Sequence, residues 1–321
     1  MQILNHYDAT SVADAVAQLN KYGSSAKVMA GGTELLHTIK GNIHPNLPSY
    51  IINIKTIPGL NSITTSSTGL KIGALCTLTS VATNSNVLST YPMLAQAASA
   101  VATNQIRNLG TIGGNLSQEV WCWYYRWEHN QFYCLRKGGS TCYAQSGVNT
   151  FHSIFGGPGG CYSVHPSDTA IALLALGASV VTSSRTIPIS QFFKNISPGN
   201  VLANNEIITE IDVPTPPANA LQVFTKFKFK QSFDFAVVSV GLLAAPTTGS
   251  VTTANIWLGG VGPVPIEATG AEAALKGNAI SSTVATAAGA AAIANAVPLP
   301  YNHYKKNIVS TLVSRAIMST T

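Results

Sequence analysis

The chain has 321 residues, and 46% of them are hydrophobic, which is enough to bury a large core divided between two or three domains. Its 18 basic and 12 acidic residues leave a net charge of +6, but only 9% of the residues are charged, against a typical fraction of about 25%. No basic run exceeds the pair Lys305 and Lys306, which argues against nucleic-acid binding. No apolar run in the sequence is long enough to predict a membrane span.

The low charge has two interpretations, a surface covered by partner subunits or adaptation to an unusual milieu. The first residues, MQILNH, lack the basic start, apolar middle and small-residue cleavage site of a secretory signal. We therefore expect a soluble chain made in the cytoplasm without its own export signal.

The first predicted elements form a small β-α-β unit. They are a helix that begins at Ser11 and ends at Gly23, a strand over 27–30, a helix over 34–40 and a strand over 50–55. A Gly-Gly turn with the sequence AGGT, residues 30–33, precedes the second helix. Glycine has no Cβ, so backbone N–H groups can converge on an anion there, at a helix N-terminus. The turn is predicted to bind phosphate, with a plain tight turn as the alternative.

The next predicted elements are strands and short helices. They include a strand over 69–75, a helix over 91–102 and a loop over 103–116. That loop contains a second Gly-Gly turn, residues 111–115 with the sequence TIGGN, which has the same two interpretations. Neither turn fits a Rossmann or Walker pattern, so a dinucleotide would need a different cradle. Cys76 is predicted to be a buried structural thiol.

Four of the five cysteines follow the second turn, separated by 11, 7 and 18 residues. Because no C-x2-C is present, a zinc ribbon or a bacterial-ferredoxin cluster is disfavoured. The odd number of cysteines also argues against a pure disulfide framework. The spacing leaves an iron–sulfur cluster, two disulfides or free thiols open, and the glycines between the cysteines favour a cluster because their N–H groups can bond its sulfurs. The four are Cys122, Cys134, Cys142 and Cys161.

The cysteine region also holds a dense aromatic set, which we expect to pack against a cluster or a partner. Its members are Trp121, Trp123, Tyr124, Tyr125 and Trp127. The sequence HPSD, residues 165–168, then opens an apolar helix over 169–176. Asp168 either caps this helix or accepts hydrogen bonds from cofactor hydroxyls. His165 is predicted to be a turn residue rather than a ligand.

The remaining elements are three further strands and then, beyond residue 217, a predicted antiparallel sheet covered by helices. Strands are expected over 178–183, 186–189, 206–213, 223–230, 236–244 and 251–258, and helices over 268–275, 282–296 and 301–318. The proline-rich stretch 213–217 is the predicted domain boundary. Lys226, Lys228 and Lys230 alternate with phenylalanines and are expected on one face of a strand. That face is either solvated or in contact with a cofactor.

The sequences AGGTELL at 30–36, TIGGNL at 111–116 and HPSD at 165–168 resemble the FAD-binding medium subunit of the xanthine dehydrogenase family of molybdenum hydroxylases. The resemblance covers essentially the whole chain and implies an α+β fold. Residues 1–215 would form a two-subdomain FAD-binding fold of the PCMH type, and residues 216–321 an α+β flavoprotein C-terminal domain with an antiparallel sheet plus helices. The two subdomains would be 1–57 and 58–215, with an Fe–S insert at 117–164.

The four-cysteine insert is similar to that of a subgroup which carries a [4Fe-4S] cluster. This subgroup includes the flavin subunits of periplasmic-type aldehyde oxidoreductases and of 4-hydroxybenzoyl-CoA reductase, and the chain looks closer to the former. Cys122, Cys134, Cys142 and Cys161 would ligate the cluster. The chain departs from relatives at Lys228 and Lys230, where arginines are frequent. Lysine keeps the positive charge but lacks the planar guanidinium group, which can donate two parallel hydrogen bonds.

The resemblance also implies an FAD site in which the first turn holds the pyrophosphate, the second turn contacts the same cofactor and Asp168 contacts the ribityl chain. The implied cofactor-binding residues are Lys27, Val28, Met29, Ala30, Gly31, Gly32, Thr33, Glu34, Leu35, Thr103, Thr111, Ile112, Gly113, Gly114, Asn115, Asp168, Lys226 and Lys228. No catalytic residue is implied, because substrate would react on another subunit.

The implied function is that of an FAD- and [4Fe-4S]-carrying electron-transfer subunit of a heteromeric molybdenum hydroxylase, in first place an aldehyde oxidoreductase. Its partners would be a molybdenum-cofactor subunit and a [2Fe-2S] subunit, in a heterotrimer or a dimer of heterotrimers. The alternatives are a hydroxybenzoyl-CoA reductase-like complex, a xanthine or heterocycle dehydrogenase, and a non-redox scaffold that has lost its flavin. Export as a folded passenger of a signal-bearing partner is the alternative to a cytoplasmic location.

Overall fold

The computed structural model describes residues 3–319, which form three sheets packed with helices. The first sheet is parallel with strand order β1-β3-β2. Its elements are β1 (Asn5–Asp8), α1 (Val12–Tyr22), β2 (Ala26–Met29), α2 (Leu35–Lys40) and β3 (Tyr50–Asn53). Helix α1 has its predicted bounds, because the Ser11 side chain accepts a hydrogen bond from the Asp14 N–H and Gly23 ends the helix at a φ of 54°.

The second sheet has five strands in the order β4-β5-β8-β6-β7, and all of its neighbouring strands are antiparallel. Its strands are β4 (Ile63–Ser66), β5 (Gly69–Gly73), β6 (Ser179–Thr182), β7 (Thr186–Pro188) and β8 (Ile208–Pro214). The helices between β5 and β6 are α3 (Leu78–Thr83), α4 (Ser85–Thr90), α5 (Pro92–Ser99), α6 (Asn104–Leu109), α7 (Ile112–Leu116), α8 (Trp123–Arg126), α9 (Tyr143–Ser146) and α10 (Asp168–Ala175).

The prediction of a loop over 103–116 is wrong, because α6 and α7 lie there. Each helix is capped by a threonine: the Thr103 hydroxyl accepts from Ile106 N–H, and the Thr111 hydroxyl accepts from Gly114 N–H. Helices of six and five residues are too short to show an apolar period in the sequence.

The third sheet is antiparallel with strand order β12-β11-β10-β9. Its elements are β9 (Leu221–Phe227), β10 (Val238–Ala245), β11 (Thr253–Gly259), β12 (Ile266–Glu267), α11 (Thr269–Leu275), α12 (Ser282–Ala291) and α13 (Tyr304–Met318). The predicted strand 223–230 is too long at its end. The ladder closes where Phe227 pairs with Val238, so Lys228 and Lys230 follow the strand and do not share a strand face with Lys226.

Helix α10 joins the second and third sheets. All eight of its residues are buried, and it packs against α5 and α7 as well as against β10 and β11. Asp168, at its first position, is therefore held deep inside the chain.

An isolated β-bridge between Trp121 and Val164 joins the two ends of the cysteine region. Trp121 N–H donates to Val164 O at 2.8 Å, and Val164 N–H donates to Trp121 O at 3.0 Å. Between them lie only short helices and turns. The bridge fixes both ends of the region, so its interior can be shaped by side chains rather than by a sheet. Within residues 3–319, no helix is long and apolar enough to cross a membrane.

Candidate functional site

The first glycine turn lies between β2 and α2 and leaves backbone donors free. The N–H groups of Gly31, Gly32 and Thr33 donate no hydrogen bond to any other of residues 3–319. A Cβ on Gly31 would lie 1.9 Å from Leu109 O, so only glycine fits there, and Gly32 has a φ of +73°. Three half-buried N–H groups without partners form a surface that can bind an anion.

The second glycine turn lies directly beside the first. Gly31 packs on Leu109 and Gly110, just before α7, although the two turns are about eighty residues apart in sequence. The sequence predicted that both turns serve one cofactor, and the structure brings them together.

Four of the five N–H groups of the second turn, however, donate within the protein. Ile112 N–H donates to Cys76 O at 2.9 Å and Gly113 N–H to Ala74 O at 3.0 Å. Gly114 N–H donates to the Thr111 hydroxyl at 3.2 Å, and Asn115 N–H to Thr111 O at 2.8 Å. These four N–H groups do not form the open cradle that the Gly-Gly pattern suggests.

Asn115 links the second turn to α10 through side-chain hydrogen bonds. Its Oδ1 accepts hydrogen bonds from the Ser167 and Thr169 hydroxyls, both at 2.6 Å and buried. Ser167 also caps α10 by accepting from Ala170 N–H at 3.1 Å. The HPSD sequence is thus the junction between α7 and α10.

Asp168 and Lys226 form a buried ion pair, with Lys226 Nζ 2.6 Å from Asp168 Oδ2 and side-chain exposures of 4% and 5%. Lys226 Nζ also donates to Ala100 O at 3.0 Å. Burial raises the pKa of Asp168, and the charges of Lys226 and Lys228 oppose that rise. These two residues, both predicted to contact the cofactor, therefore bond to each other.

The other predicted cofactor-binding residues lie around the first turn or cap a helix. Lys27, Val28 and Met29 are on β2, Ala30 follows it and Leu35 begins α2. Glu34 forms a two-contact ion pair with Arg126, at 3.0 and 3.1 Å, which ties the first turn to the cysteine region. Thr103 caps α6. His165, predicted as a turn residue, is buried with its ring against Phe193.

The four grouped cysteines line one cavity, in which about 290 Å³, counted together with space open to solvent, is not filled by atoms. Cys122, Cys134 and Cys161 are buried, Cys142 is partly buried, and none forms a disulfide. Burial raises the pKa of Cys122 to about 12, so this thiol is neutral without a metal. The cavity is lined by Cys122, Tyr124, Tyr125, Cys134, Leu135, Arg136, Cys142, Tyr143, Ala144, Cys161 and Ser163.

Two buried cations lie beside these cysteines. Lys137 Nζ and two guanidinium nitrogens of Arg136 are buried without a hydrogen-bond partner in the described chain. Arg136 lines the cavity. Burial lowers the pKa of Lys137, and the charges of Cys134 and Cys122 oppose that fall. Uncompensated buried charge is unfavourable, so a group of net negative charge in the cavity fits its surroundings.

Backbone N–H groups also face the sulfur atoms. Those of Tyr124 and Tyr125 reach Cys122, and those of Arg136 and Lys137 reach Cys134. Among residues 3–319, no three His, Cys, Asp or Glu side chains converge closely enough to hold one metal ion. The four thiols line the cavity and do not converge on the position of a single metal ion. Tyr125 is buried beside Cys122 and Cys134 and Tyr124 packs against them, whereas Trp127 is half exposed. That the aromatic set packs against a cluster or a partner stays a prediction.

A second cavity, of about 850 Å³ on the same measure, lies beside the cysteine region. Trp121 stacks on Phe235 at 4.8 Å, and the Arg126 guanidinium lies 5.3 Å from the Phe235 ring centre. The dense aromatic set of the sequence included Trp121. No local sequence pattern indicated Phe235, which lies in the loop between β9 and β10 of the third sheet. The lining residues are His37, Trp121, Trp123, Arg126, Trp127, Glu128 and Phe235.

Two family models match the chain. The FAD binding domain in molybdopterin dehydrogenase matches residues 2–216, and the CO dehydrogenase flavoprotein C-terminal domain matches residues 222–320. The chain belongs to the FAD-binding subunits of molybdopterin dehydrogenases. These matches confirm the predicted family and the predicted α+β fold class.

Several relatives of this family are similar over most of the chain. Aldehyde oxidoreductase FAD-binding subunit PaoB of Escherichia coli K12 is 34% identical over 273 residues, 81% of this chain and 82% of PaoB. The carbon monoxide dehydrogenase medium chain of Hydrogenophaga pseudoflava is 28% identical over 311 residues, 96% of this chain and 93% of that one. A solved structure of carbon monoxide dehydrogenase from that organism superposes with a TM-score of 0.77, covering 98% of this chain and 96% of that one at 28% identity.

Sequence reasoning missed the other residues that lie against the cysteines. His152 has its Nε2 3.2 Å from Cys122 Sγ, and Ser163 has its Oγ 3.3 Å from Cys161 Sγ. Arg136 and Lys137 follow Cys134 at once, but a basic pair in a glycine-rich region is typical of an exposed surface. Their position directly after Cys134 was the only sequence feature that indicated a role beside the cysteines.

Proposed function

We propose that this FAD-binding oxidoreductase subunit carries FAD and a [4Fe-4S] cluster and transfers electrons within an aldehyde oxidoreductase of the molybdenum hydroxylase type. The aldehyde assignment is supported by PaoB, whose name states an aldehyde oxidoreductase. The cluster assignment rests on the cavity lined by four cysteines, beside which Lys137 Nζ and two guanidinium nitrogens of Arg136 have no hydrogen-bond partner in residues 3–319.

The FAD pyrophosphate is assigned to the first glycine turn. The N–H groups of Gly31, Gly32 and Thr33 are free to donate to phosphate oxygens. Gly31 of the first turn packs closely on Leu109 and Gly110, which directly precede the second turn. Bound FAD supplies the redox chemistry, while the chain supplies binding and orientation.

Asp168 and Lys226 are proposed to contact the bound flavin together, as an ion pair. Because each neutralises the charge of the other at 2.6 Å, the pair presents oriented polar groups to the flavin without a net charge. Lys228, close enough to lower the pKa of Asp168, is the further cation of this region.

The cluster is assigned to Cys122, Cys134, Cys142 and Cys161. Four thiolates are the ligand set of a [4Fe-4S] cluster, which transfers single electrons. Its net negative charge matches the buried side chains of Arg136 and Lys137. Since the thiol of Cys122 is neutral without metal, cluster binding releases protons and its affinity falls at low pH.

The partners are proposed to be a molybdenum-cofactor subunit and a [2Fe-2S] subunit, as a heterotrimer or a dimer of heterotrimers. The names of the relatives support a multi-subunit complex, because they include a medium chain and a complex subunit alpha. The chain's few charges and its exposed apolar side chains Leu109 and Trp127 favour a covered surface.

The test is the cofactor content of the purified complex. Wild-type protein should show flavin absorbance, and Cys134→Ser should hold about four fewer irons per chain. Cys76→Ser is the matched control, since Cys76 is buried with its thiol donating to Ser62 O at 3.3 Å, away from the cavity. Protein without flavin would support the non-redox scaffold. Equal iron in wild type and Cys134→Ser would exclude the cluster.

A further inference from the structure

His152 lies against one of the proposed cluster ligands. It belongs to the segment between α9 and α10, is buried, and places its Nε2 3.2 Å from Cys122 Sγ. Its ring also contacts Trp123 and Tyr124, with centres 5.6 and 5.8 Å away. Its other ring nitrogen, Nδ1, is buried without a hydrogen-bond partner in the described chain.

The C-terminal helix α13 and the residues just before it hold His152 in this position. Asn302 Nδ2 donates to the backbone carbonyls of His152 and Ser153, both at 3.0 Å. Lys305 Nζ donates to His152 O at 3.1 Å, and both Asn302 and Lys305 are fully buried. The backbone at His152 is therefore held by the C-terminal domain, while its ring packs on Trp123 and Tyr124 of the cysteine region.

We propose that His152 is a positioning residue which donates an Nε2–H hydrogen bond to the Cys122 thiolate and thereby raises the reduction potential of the cluster. This rests on the proposed [4Fe-4S] site. A thiolate can only accept, so Nε2 must carry the proton. A neutral ring with its proton on Nε2 has only a lone pair on Nδ1, which agrees with the absence of an acceptor near Nδ1 in residues 3–319.

The direction of the effect follows from charge. Reduction adds a negative charge to the cluster, and a donor to a ligand sulfur stabilises the more negative state. Cys122 also receives backbone N–H groups, but His152 is a side-chain donor and can be changed without altering the main chain.

The experiment is a redox titration of the purified complex, followed by low-temperature paramagnetic resonance of the cluster. His152→Leu should lower the ratio of reduced to oxidised cluster about tenfold at a fixed potential, which is about 59 mV for one electron. His152→Gln keeps an N–H donor and should restore part of the shift. His303→Leu, at an exposed histidine near Asn302, is the matched control and should leave the ratio unchanged.

A second measurement compares the wild-type complex with the complex that carries His152→Gln. With ¹⁵N-labelled histidine, pulsed resonance should detect coupling between the reduced cluster and a histidine nitrogen, and His152→Gln should lose it. An unchanged potential in an iron-loaded His152→Leu, or no histidine coupling in wild type, overturns the proposal. Wild-type protein without a cluster instead refutes the proposed function on which it rests.

Discussion

The two Gly-Gly turns of this chain share a sequence pattern and lie close together, the first packed on the two residues that precede the second, but they differ in what their backbone N–H groups do. In residues 30–33 three N–H groups are free, whereas in residues 111–115 four donate within the protein. The difference arises from the neighbours. The second turn packs against the end of β5, where Ala74 O and Cys76 O accept its N–H groups, and the first turn meets no such acceptors. A glycine pair predicts an anion site only where its surroundings leave the donors unused.

The largest expected effect is loss of flavin from the first turn. Gly32→Val should reduce bound FAD by at least about tenfold, because a β-branched residue disfavours the φ of +73° that aligns the neighbouring N–H groups. A new Cβ there meets only the flexible Leu36 side chain, at 3.1 Å, so the fold should survive. The measurement is flavin absorbance per folded chain.

Gly59→Val is the matched control for that variant. Gly59 has a φ of +83° and no atom within 4 Å of a new Cβ, so it suffers similar backbone strain away from the turn. It should keep its flavin. Equal flavin loss in both variants would show that strain alone releases the cofactor and would remove the special role of the first turn.

A stability effect is expected from the second turn. Asn115→Leu removes the acceptor of two buried hydroxyls, those of Ser167 and Thr169, and should lower the free energy of unfolding by about 2–4 kcal/mol. Chemical denaturation of the purified protein measures this. Adding Thr169→Val removes one orphaned hydroxyl, so the double variant should be more stable than Asn115→Leu alone. A double variant that is less stable would contradict this reading of the junction.

Local signals predicted most elements of the fold. Helix α1 has its predicted bounds because Ser11 and Gly23 mark its ends. Strand β1 was missed because all four of its residues are exposed and carry no apolar alternation. Helices α6 and α7 were missed because a threonine cap and one turn of helix look like a loop in sequence.

The candidate site was predictable where its residues lie close in sequence and not where the fold brings them together. The four cysteines form one group in both sequence and structure. The Asp168–Lys226 pair and the His152–Cys122 contact join positions 58 and 30 residues apart, through a buried helix and a loop held by α13. No propensity or spacing rule encodes such contacts, because tertiary packing alone decides them.

The smallest expected effect again concerns the second turn. A Cβ on Gly114 would meet only the Thr111 hydroxyl, at 3.0 Å, which can rotate slightly while it still caps α7. Alanine also favours a helix over glycine by about 1 kcal/mol. Gly114→Ala should therefore change the free energy of unfolding by less than about 1 kcal/mol and keep its FAD. If the variant stays folded but loses flavin, the cofactor must approach the second turn too closely for a methyl group. Both turns would then bind the cofactor directly, despite their different hydrogen bonds.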